Sequence, residues 1–118
     1  MAVSEGFKEF VRELLADFAP VIIRNMFGGA GVYADGVMFA ILANDVIYLK
    51  TNAISPFAFA SEGMTPFTYQ PKGKAPIALP YWEVPPRLLE TPEELAAWAC
   101  EAHRIASETK AKPLRKSR

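Results

Sequence analysis

Residues 24–50 decide the fold and have the sequence RNMFGGAGVYADGVMFAILANDVIYLK. Asp35-Gly36 separates runs of apolar, β-branched and aromatic residues, which is the strongest short-range signal for a β-hairpin. Asn44-Asp45 supplies a second tight turn, because both residue types tolerate positive φ. The two turns predict a three-stranded antiparallel meander. Residues 37–42 are apolar at nearly every position, so we expect this middle strand to be covered on both faces.

The glycine cluster at the entrance to the meander needs unusual backbone freedom. Gly28, Gly29 and Gly31 lie close together, and we expect a bulge or a wide loop there. Residues 29–34 also match the dinucleotide-binding pattern G-x-G-x-x-A. That pattern has to open a helix, whereas Asp35-Gly36 turns this chain into a strand. We therefore discard the nucleotide interpretation.

An amphipathic helix precedes the meander. Ser4 is its expected N-cap, Pro20 its expected end, and Lys8 is among the charged residues on its polar face. Its apolar residues recur at helical spacing and should cover the sheet. They are Phe7, Phe10, Val11, Leu14, Leu15 and Phe18.

A second amphipathic helix closes the domain. Thr91 as N-cap, Pro92 at the first helical position and Glu94 as the partner in a capping box predict its start, and we expect it to end near Thr109. Its apolar residues should cover the same face of the sheet. They are Leu95, Trp98, Ala99, Ala102, Ile105 and Ala106.

A short helix and two strands lie between the meander and the last helix. Ser55-Pro56 are its expected N-cap and first position, and Gly63 should end it in the left-handed conformation. The strands, residues 67–70 and 77–82, form a hairpin. Pro80 cannot donate a ladder hydrogen bond, so the second strand should lie at an edge or begin to leave the sheet.

The predicted fold is therefore a single α+β domain over residues 1–109, with residues 110–118 as a disordered basic tail. Its mainly antiparallel sheet consists of a three-strand meander plus a two-strand hairpin, covered by the N- and C-terminal helices. The 118 residues, 51% of them hydrophobic, suffice for one domain.

The composition also excludes several classes of protein. No apolar run reaches the ~18 residues of a membrane span, and a single cysteine excludes an internal disulfide framework. We expect a cytoplasmic protein. The net charge is zero, but without the five basic residues of the tail the body keeps eight basic against thirteen acidic residues, about −5. An acidic body argues against direct nucleic-acid binding.

No residue set supports catalysis, a metal or a cofactor. His103 and Cys100 are the only histidine and cysteine, whereas structural zinc needs four ligands. Cys100 has no paired base in the sequence, and Asp35 and Asp45 lie in predicted turns. We expect a protein that is not an enzyme and has no cofactor.

The aromatic residues say more about function than the candidate catalytic residues do, because several of them lie on or beside predicted strands. Those on a sheet face that the helices leave uncovered would form a protein-binding surface. We predict that the surface for a partner or ligand consists of Arg24, Phe27, Gly28, Gly29, Tyr33, Lys50, Tyr81 and Trp82.

Several segments follow one another in a recognisable order. They are MFGGAG (residues 26–31), DGVMFA (35–40), IYLK (47–50), PFTY (66–69), YWEVP (81–85) and PEEL (92–95). In type and order they resemble the N-terminal domain of the TfoX/Sxy competence regulators, from about residue 7 to 106. The resemblance implies a bacterial cytoplasmic α+β protein with an architecture similar to that of type III secretion chaperones.

The resemblance also implies a role. The regulators promote expression of DNA-uptake genes together with other transcription factors, and they continue into a second, C-terminal domain. We predict a non-enzymatic regulatory or adaptor domain that binds another protein, for example a transcription factor, and that forms a homodimer. The alternative is a small-molecule or anion-binding module that uses the glycine loop, Arg24, Lys50 and the hairpin tip with Lys72 and Lys74.

Overall fold

The computed structural model describes residues 3–26 and 28–111, with side chains up to Thr109. A 3-10 helix over Pro86–Glu90 precedes the last helix. The other elements, in chain order, are α1 (Glu5–Leu14), β1 (Ile22–Met26), β2 (Gly29–Ala34), β3 (Val37–Ala43), β4 (Val46–Lys50), α2 (Pro56–Ala60), β5 (Pro66–Tyr69), β6 (Ile77–Glu83) and α3 (Pro92–Ala111).

All six strands form one antiparallel sheet in the order β1-β2-β3-β4-β6-β5. The predicted α+β class is confirmed. The predicted meander corresponds to β2–β4, and β1 extends it by one strand. The predicted hairpin, β5–β6, joins the same sheet because β6 pairs with β4. Strand β3 is interior, as its apolar composition predicts.

Both predicted tight turns of the meander are confirmed. Asp35 and Gly36 have φ of 53° and 75°, and Asn44 and Asp45 have φ of 53° and 58°. Positive φ at both central residues defines the type I′ turn, whose twist matches that of the flanking strands. The Asp45 carboxylate also accepts a hydrogen bond from the backbone N–H of Ser4 at 3.2 Å, which ties this turn to the start of α1.

A bulge occurs in the meander, but on β3 rather than at the glycine cluster. Val32 pairs with Ala40 and Tyr33 with Met38, so Phe39 is the additional residue. Because of the extra residue, Phe39 and Ala40 are both fully buried in the core. The bulge thus changes which β3 residues lie on each face of the sheet.

The helices bury their apolar stripes against one sheet face, as predicted. Leu15 of the turn after α1 and Leu95 of α3 are fully buried in a core with Val32, Leu42 and Leu49.

Helix α1 begins as predicted, but its end and the exposure of two of its side chains differ from the prediction. Ser4 is the N-cap, as expected, and accepts from the N–H of Phe7 at 3.1 Å. The helix ends at Leu14, well before Pro20, and the chain continues as turns. Phe10 is 41% exposed, whereas Lys8 of the supposed polar face is buried.

Two predicted N-caps make other contacts. The Ser55 hydroxyl accepts from the N–H of Asn52 at 3.0 Å, and the Asn52 side chain accepts from the N–H groups of Ile54 and Ser55. The Thr91 hydroxyl donates to the carbonyl oxygen of Arg87 at 3.2 Å. Local competing partners therefore replace the expected caps. Gly63 adopts φ of 80°, as predicted.

The prediction for Pro80 is confirmed only in part, because β6 is not an edge strand but Pro80 lies outside its pairing with β4. Strand β6 is interior, between β4 and β5. The β5–β6 register shifts between Pro66 and Thr68, opposite the segment that contains Pro80, and pairing with β4 begins only at Tyr81. The irregularity accommodates a residue that cannot donate to the ladder. Within the described residues, no helix has the length and apolar character needed to cross a bilayer.

The ion pairs of Arg87 predict how the stability of the protein depends on pH. Its guanidinium donates to both oxygens of Glu62 (2.8 and 2.6 Å) and of Glu94 (2.8 and 3.0 Å). These hydrogen bonds hold the pKa of each carboxyl below its ordinary value of 4.5. A carboxylate with a lowered folded-state pKa contributes stability that is present above the unfolded-state pKa and lost as the pH falls through the folded-state value.

Arg87→Met should therefore lower the melting temperature at pH 7. The difference from the wild type should shrink as the pH falls below about 4.5. Thermal unfolding followed by circular dichroism from pH 7 to about 2.5 measures it. Arg12→Met, which removes only the exposed pair with Glu9, is the control and should have the smaller effect at pH 7. A difference between wild type and Arg87→Met that stays constant across this pH range would contradict the prediction.

Candidate functional site

The sheet face opposite the helices carries a trough. Side chains alternate between faces along each strand, so the residues that do not point into the core point to this open face. The trough has a volume of about 550 Å³. Its lining residues are mostly apolar or aromatic and come from β1, β2, β3, β5, β6 and the turns beside them. They are Met26, Gly28, Gly29, Ala30, Tyr33, Met38, Ile41, Leu42, Ala43, Asn44, Phe67, Tyr69, Leu79 and Tyr81.

Strands β5 and β6 form one wall of this trough. Phe67, Tyr69 and Leu79 line it together with residues of β1–β3. Phe67 packs edge-on against Tyr48 of β4, with ring centroids 5.0 Å apart. Burial, reinforced by the charge of Glu83, raises the pKa of Tyr48. The predicted hairpin is therefore part of the site.

Two glycines determine the shape of the trough. A Cβ on Gly29 would collide with the backbone carbonyl oxygen of Leu42, and a Cβ on Gly31 would lie 2.5 Å from Sδ of Met38. Gly29 allows β2 to approach β3 closely, and Gly31 leaves room for the Met38 side chain on the open face. Gly28, with φ of 78°, turns the chain between β1 and β2.

One end of the trough is a tyrosine–cation cluster, which we define as Arg24, Tyr33, Lys50 and Tyr81. The Arg24 Cζ atom lies 5.7 Å from the centroid of the Tyr33 ring, and the Lys50 Nζ atom 5.3 Å from that of Tyr81. Both distances are typical of cation–π contacts. Burial, reinforced by the nearby Tyr33, raises the pKa of Tyr81 above its ordinary value. Burial lowers the pKa of Lys50.

The cations of this cluster differ from most others in the described part of the chain. Lys8, Arg12, Arg87 and Arg104 each form an ion pair with a carboxylate. Among the described side chains, neither Arg24 nor Lys50 has such a pair. Glu83, on the same face, lies opposite Tyr48 and two residues along β6 from Tyr81, and it forms no ion pair with Lys50. The cluster therefore places uncompensated positive charge at one end of an apolar trough.

The structure brings together six of the eight residues predicted for this surface. Arg24, Tyr33, Lys50 and Tyr81 form the cluster, and Gly28 and Gly29 line the opposite end of the trough. The seventh, Phe27, lies outside the described residues.

Trp82 does not belong to this surface, so the prediction is wrong for this residue. It pairs with Leu49 and packs against Phe59 on the helix side, with ring centroids 6.4 Å apart. Sequence reasoning also missed the apolar lining residues Met38, Ile41 and Leu79. Alternation of side chains along β6 could have indicated that Leu79 faces the trough. Alternation could not have placed both Met38 and Ile41 there, because the bulge between them changes which β3 residues lie on each face.

Two partly or fully buried polar side chains outside the trough have partners within the fold. Lys8 Nζ donates to Glu5 at 3.0 Å and to Asn25 at 2.7 Å. His103 Nε2 donates to the Ala34 carbonyl oxygen at 2.8 Å. These contacts join α1 to β1 and α3 to β2. No group of three or more His, Cys, Asp or Glu suited to a metal ion occurs in the part of the chain that the structure describes.

Fold and site together define an α+β domain whose sheet has one face covered by helices and one open, apolar face. The sequence matches the family described as the TfoX N-terminal domain over residues 13–106, so the chain belongs to that family. The family membership expected from the sequence motifs is confirmed. Comparison with curated proteins gave no match.

Proposed function

We propose that this protein is a non-enzymatic regulatory or adaptor domain, similar to that of competence regulators, which binds another protein through its open sheet face. Membership of the TfoX N-terminal domain family supports the regulatory role. The observation that carries the proposed binding mode is the apolar trough of about 550 Å³ on that face. Apolar sheet faces are normally covered by another layer of structure, and large exposed apolar patches mark interaction sites.

An amphipathic helix of the partner is the element that fits this face best. A helix satisfies its own backbone hydrogen bonds, so it can place an apolar stripe in the trough. An extended segment lying on a sheet face would bury its N–H and C=O groups without partners. The lining offers few polar side chains, chiefly Tyr33, Tyr69, Tyr81 and Asn44.

The geometry does not support the alternative of an anion site centred on the glycine loop. Gly29 lies at the start of β2, whereas Lys50 lies at the end of β4, and these are opposite ends of the sheet. The separation along the strands is roughly 13 Å, from the rise of a strand. Lys72 and Lys74 are exposed between β5 and β6. These cations do not converge on Gly28 and Gly29.

A second copy of the chain is the first partner to test. Strands β1 and β5 are the edges of the sheet, and Ile22 on β1 is 59% exposed, so edge pairing can join two copies. Light scattering at micromolar concentration should give twice the chain mass of 13.0 kDa. A mass of one chain would exclude the homodimer, and the proposed binding of another protein through the open face would be unaffected.

The proposed function predicts that filling the trough abolishes partner binding. Ala43 lines the trough and is half-buried, so Ala43→Phe should lower the recovery of a specific partner by at least about tenfold, the effect of losing ~1.4 kcal/mol. Affinity capture from the native extract, identification by mass spectrometry and reconstitution with the purified partner measure this.

The matched control is Ala60→Phe, which makes the same change at an exposed position of α2. It should leave the recovery of the partner unchanged, and circular dichroism should show both variants folded. Equal recovery of the partner by wild type and Ala43→Phe would contradict binding through the open face.

A further inference from the structure

We propose that the trough also binds a small amphipathic anion, whose apolar body lies along the trough and whose acidic head group lies at the tyrosine–cation cluster. Such a ligand would occupy the face that we assign to the partner protein, so it would regulate partner binding by competition. Binding of the ligand itself does not depend on the proposed function.

The trough has the size and lining of a small-molecule site. Its volume of about 550 Å³ falls within the roughly 300–1,000 Å³ of ligand pockets, which are mainly apolar with a few placed polar groups. From Gly29 to Tyr33 it extends about 13 Å along β2, from the strand rise. Met26 and Met38 line it, and methionine side chains adapt readily to apolar ligands.

The charged side chains near the trough lie at the end formed by Tyr33 and Tyr81. A second cavity of about 280 Å³ is bordered by Tyr33, Met38, Lys50 and Tyr81. Tyr33, Met38 and Tyr81 also line the trough, so the two spaces share a boundary. Arg24 lies on the other side of Tyr33, over its ring. A head group at this boundary lies beside Lys50, Tyr33 and Tyr81, and Arg24 is the second cation, across the Tyr33 ring.

The charge of the cluster selects an anion. Aromatic faces attract cations, but here Arg24 and Lys50 already occupy the faces of Tyr33 and Tyr81. A cationic head group would therefore meet like charges. A carboxylate or phosphate would instead accept charge-assisted hydrogen bonds from Arg24 and Lys50, neither of which has an ion pair among the described side chains.

Titration calorimetry of the purified full chain tests this with three probes that share a ten-carbon chain. Decanoate carries an acidic head, 1-decanol a neutral head and decyltrimethylammonium a cationic head, each used below its micellar concentration. Decanoate should bind at least about tenfold more tightly than the other two, because hydrogen bonds to charged groups exceed those to neutral ones. Equal affinity for decanol, or no binding of decanoate by the folded protein, would overturn the proposal.

Two variants assign the head group to the cluster. Arg24→Gln/Lys50→Gln should weaken decanoate binding about tenfold or more and leave decanol binding unchanged. Lys72→Gln/Lys74→Gln removes the same charge from the exposed hairpin tip and should change neither. An unchanged decanoate affinity in the Arg24/Lys50 variant would overturn the placement of the head group.

The ligand proposal and the proposed function can fail separately. If Ala43→Phe weakens decanoate but not partner recovery, partner binding through the trough is wrong and the ligand site stands. If Ala43→Phe abolishes partner recovery while decanoate does not bind the wild type, the ligand site is wrong and the proposed function stands.

Discussion

Replacing Phe39 by Ala is expected to lower the free energy of unfolding by about 3–5 kcal/mol. Phe39 is fully buried, and its ring packs edge-on against Phe18 at 5.2 Å and against His103 at 5.7 Å between centroids. The truncation removes apolar burial and leaves a cavity among three elements. Domains are stable by only about 5–15 kcal/mol, so this one change should remove a large part of the stability.

Urea denaturation of Phe39→Ala and of Phe57→Ala measures the effect with a matched control. Phe57 on α2 is 78% exposed, so its replacement should cost less than about 0.5 kcal/mol. A loss of less than about 1 kcal/mol of unfolding free energy for Phe39→Ala would contradict this prediction. It would show that β3 moves to fill the cavity, whereas most protein cores relax only in part.

Replacing Gly29 by Ala should destabilise the protein by about 1–3 kcal/mol, the usual cost of overpacking. The added Cβ would collide with the backbone carbonyl oxygen of Leu42, and a backbone atom of a central strand cannot move aside as a flexible side chain can. Strands β2 and β3 would have to separate at the end of the trough.

Gly6→Ala is the matched control for this prediction. Nothing lies within 4 Å of a Cβ at Gly6, and Gly6 is exposed within α1. Alanine there should leave the stability unchanged or raise it by up to about 1 kcal/mol. Urea denaturation compares the two variants. Equal effects would show that the strands tolerate a Cβ at Gly29.

Local features of the sequence were sufficient to predict most of the secondary structure, although not β1 as a strand and not the 3-10 helix. Asp35-Gly36 and Asn44-Asp45 determine two type I′ turns through residues that tolerate positive φ. The helical spacing of apolar residues predicted the stripes of both long helices. The end of α1 was predicted less well, because the turns after Leu14 are held by the carbonyl oxygen of Leu15 and by burial of Leu15, and Pro20 had no part in ending the helix.

The faces of the sheet depend on contacts between distant residues. The bulge at Phe39 places Phe39 and Ala40 in the core and leaves Met38 and Ile41 to line the trough, and simple alternation along β3 would have misplaced part of this strand. Trp82 lies on the helix side because β6 pairs with β4 in a register that sets Trp82 opposite Leu49. The register between β4 and β6 cannot be predicted from a local sequence pattern.

The sequence by itself therefore determined most of the strands, the two tight turns, most of the helix stripes and the family, because each depends on residues close together in the chain or on their order. Only the tertiary structure decided that Arg24 lies over Tyr33 and Lys50 over Tyr81, at one end of an apolar trough. Arg24 on β1 and Lys50 on β4 have two strands between them, and strand pairing, a bulge and a shared sheet face bring them to the same site. Such an arrangement arises from packing, since a one-residue change of register would move every side chain of a strand to the other face.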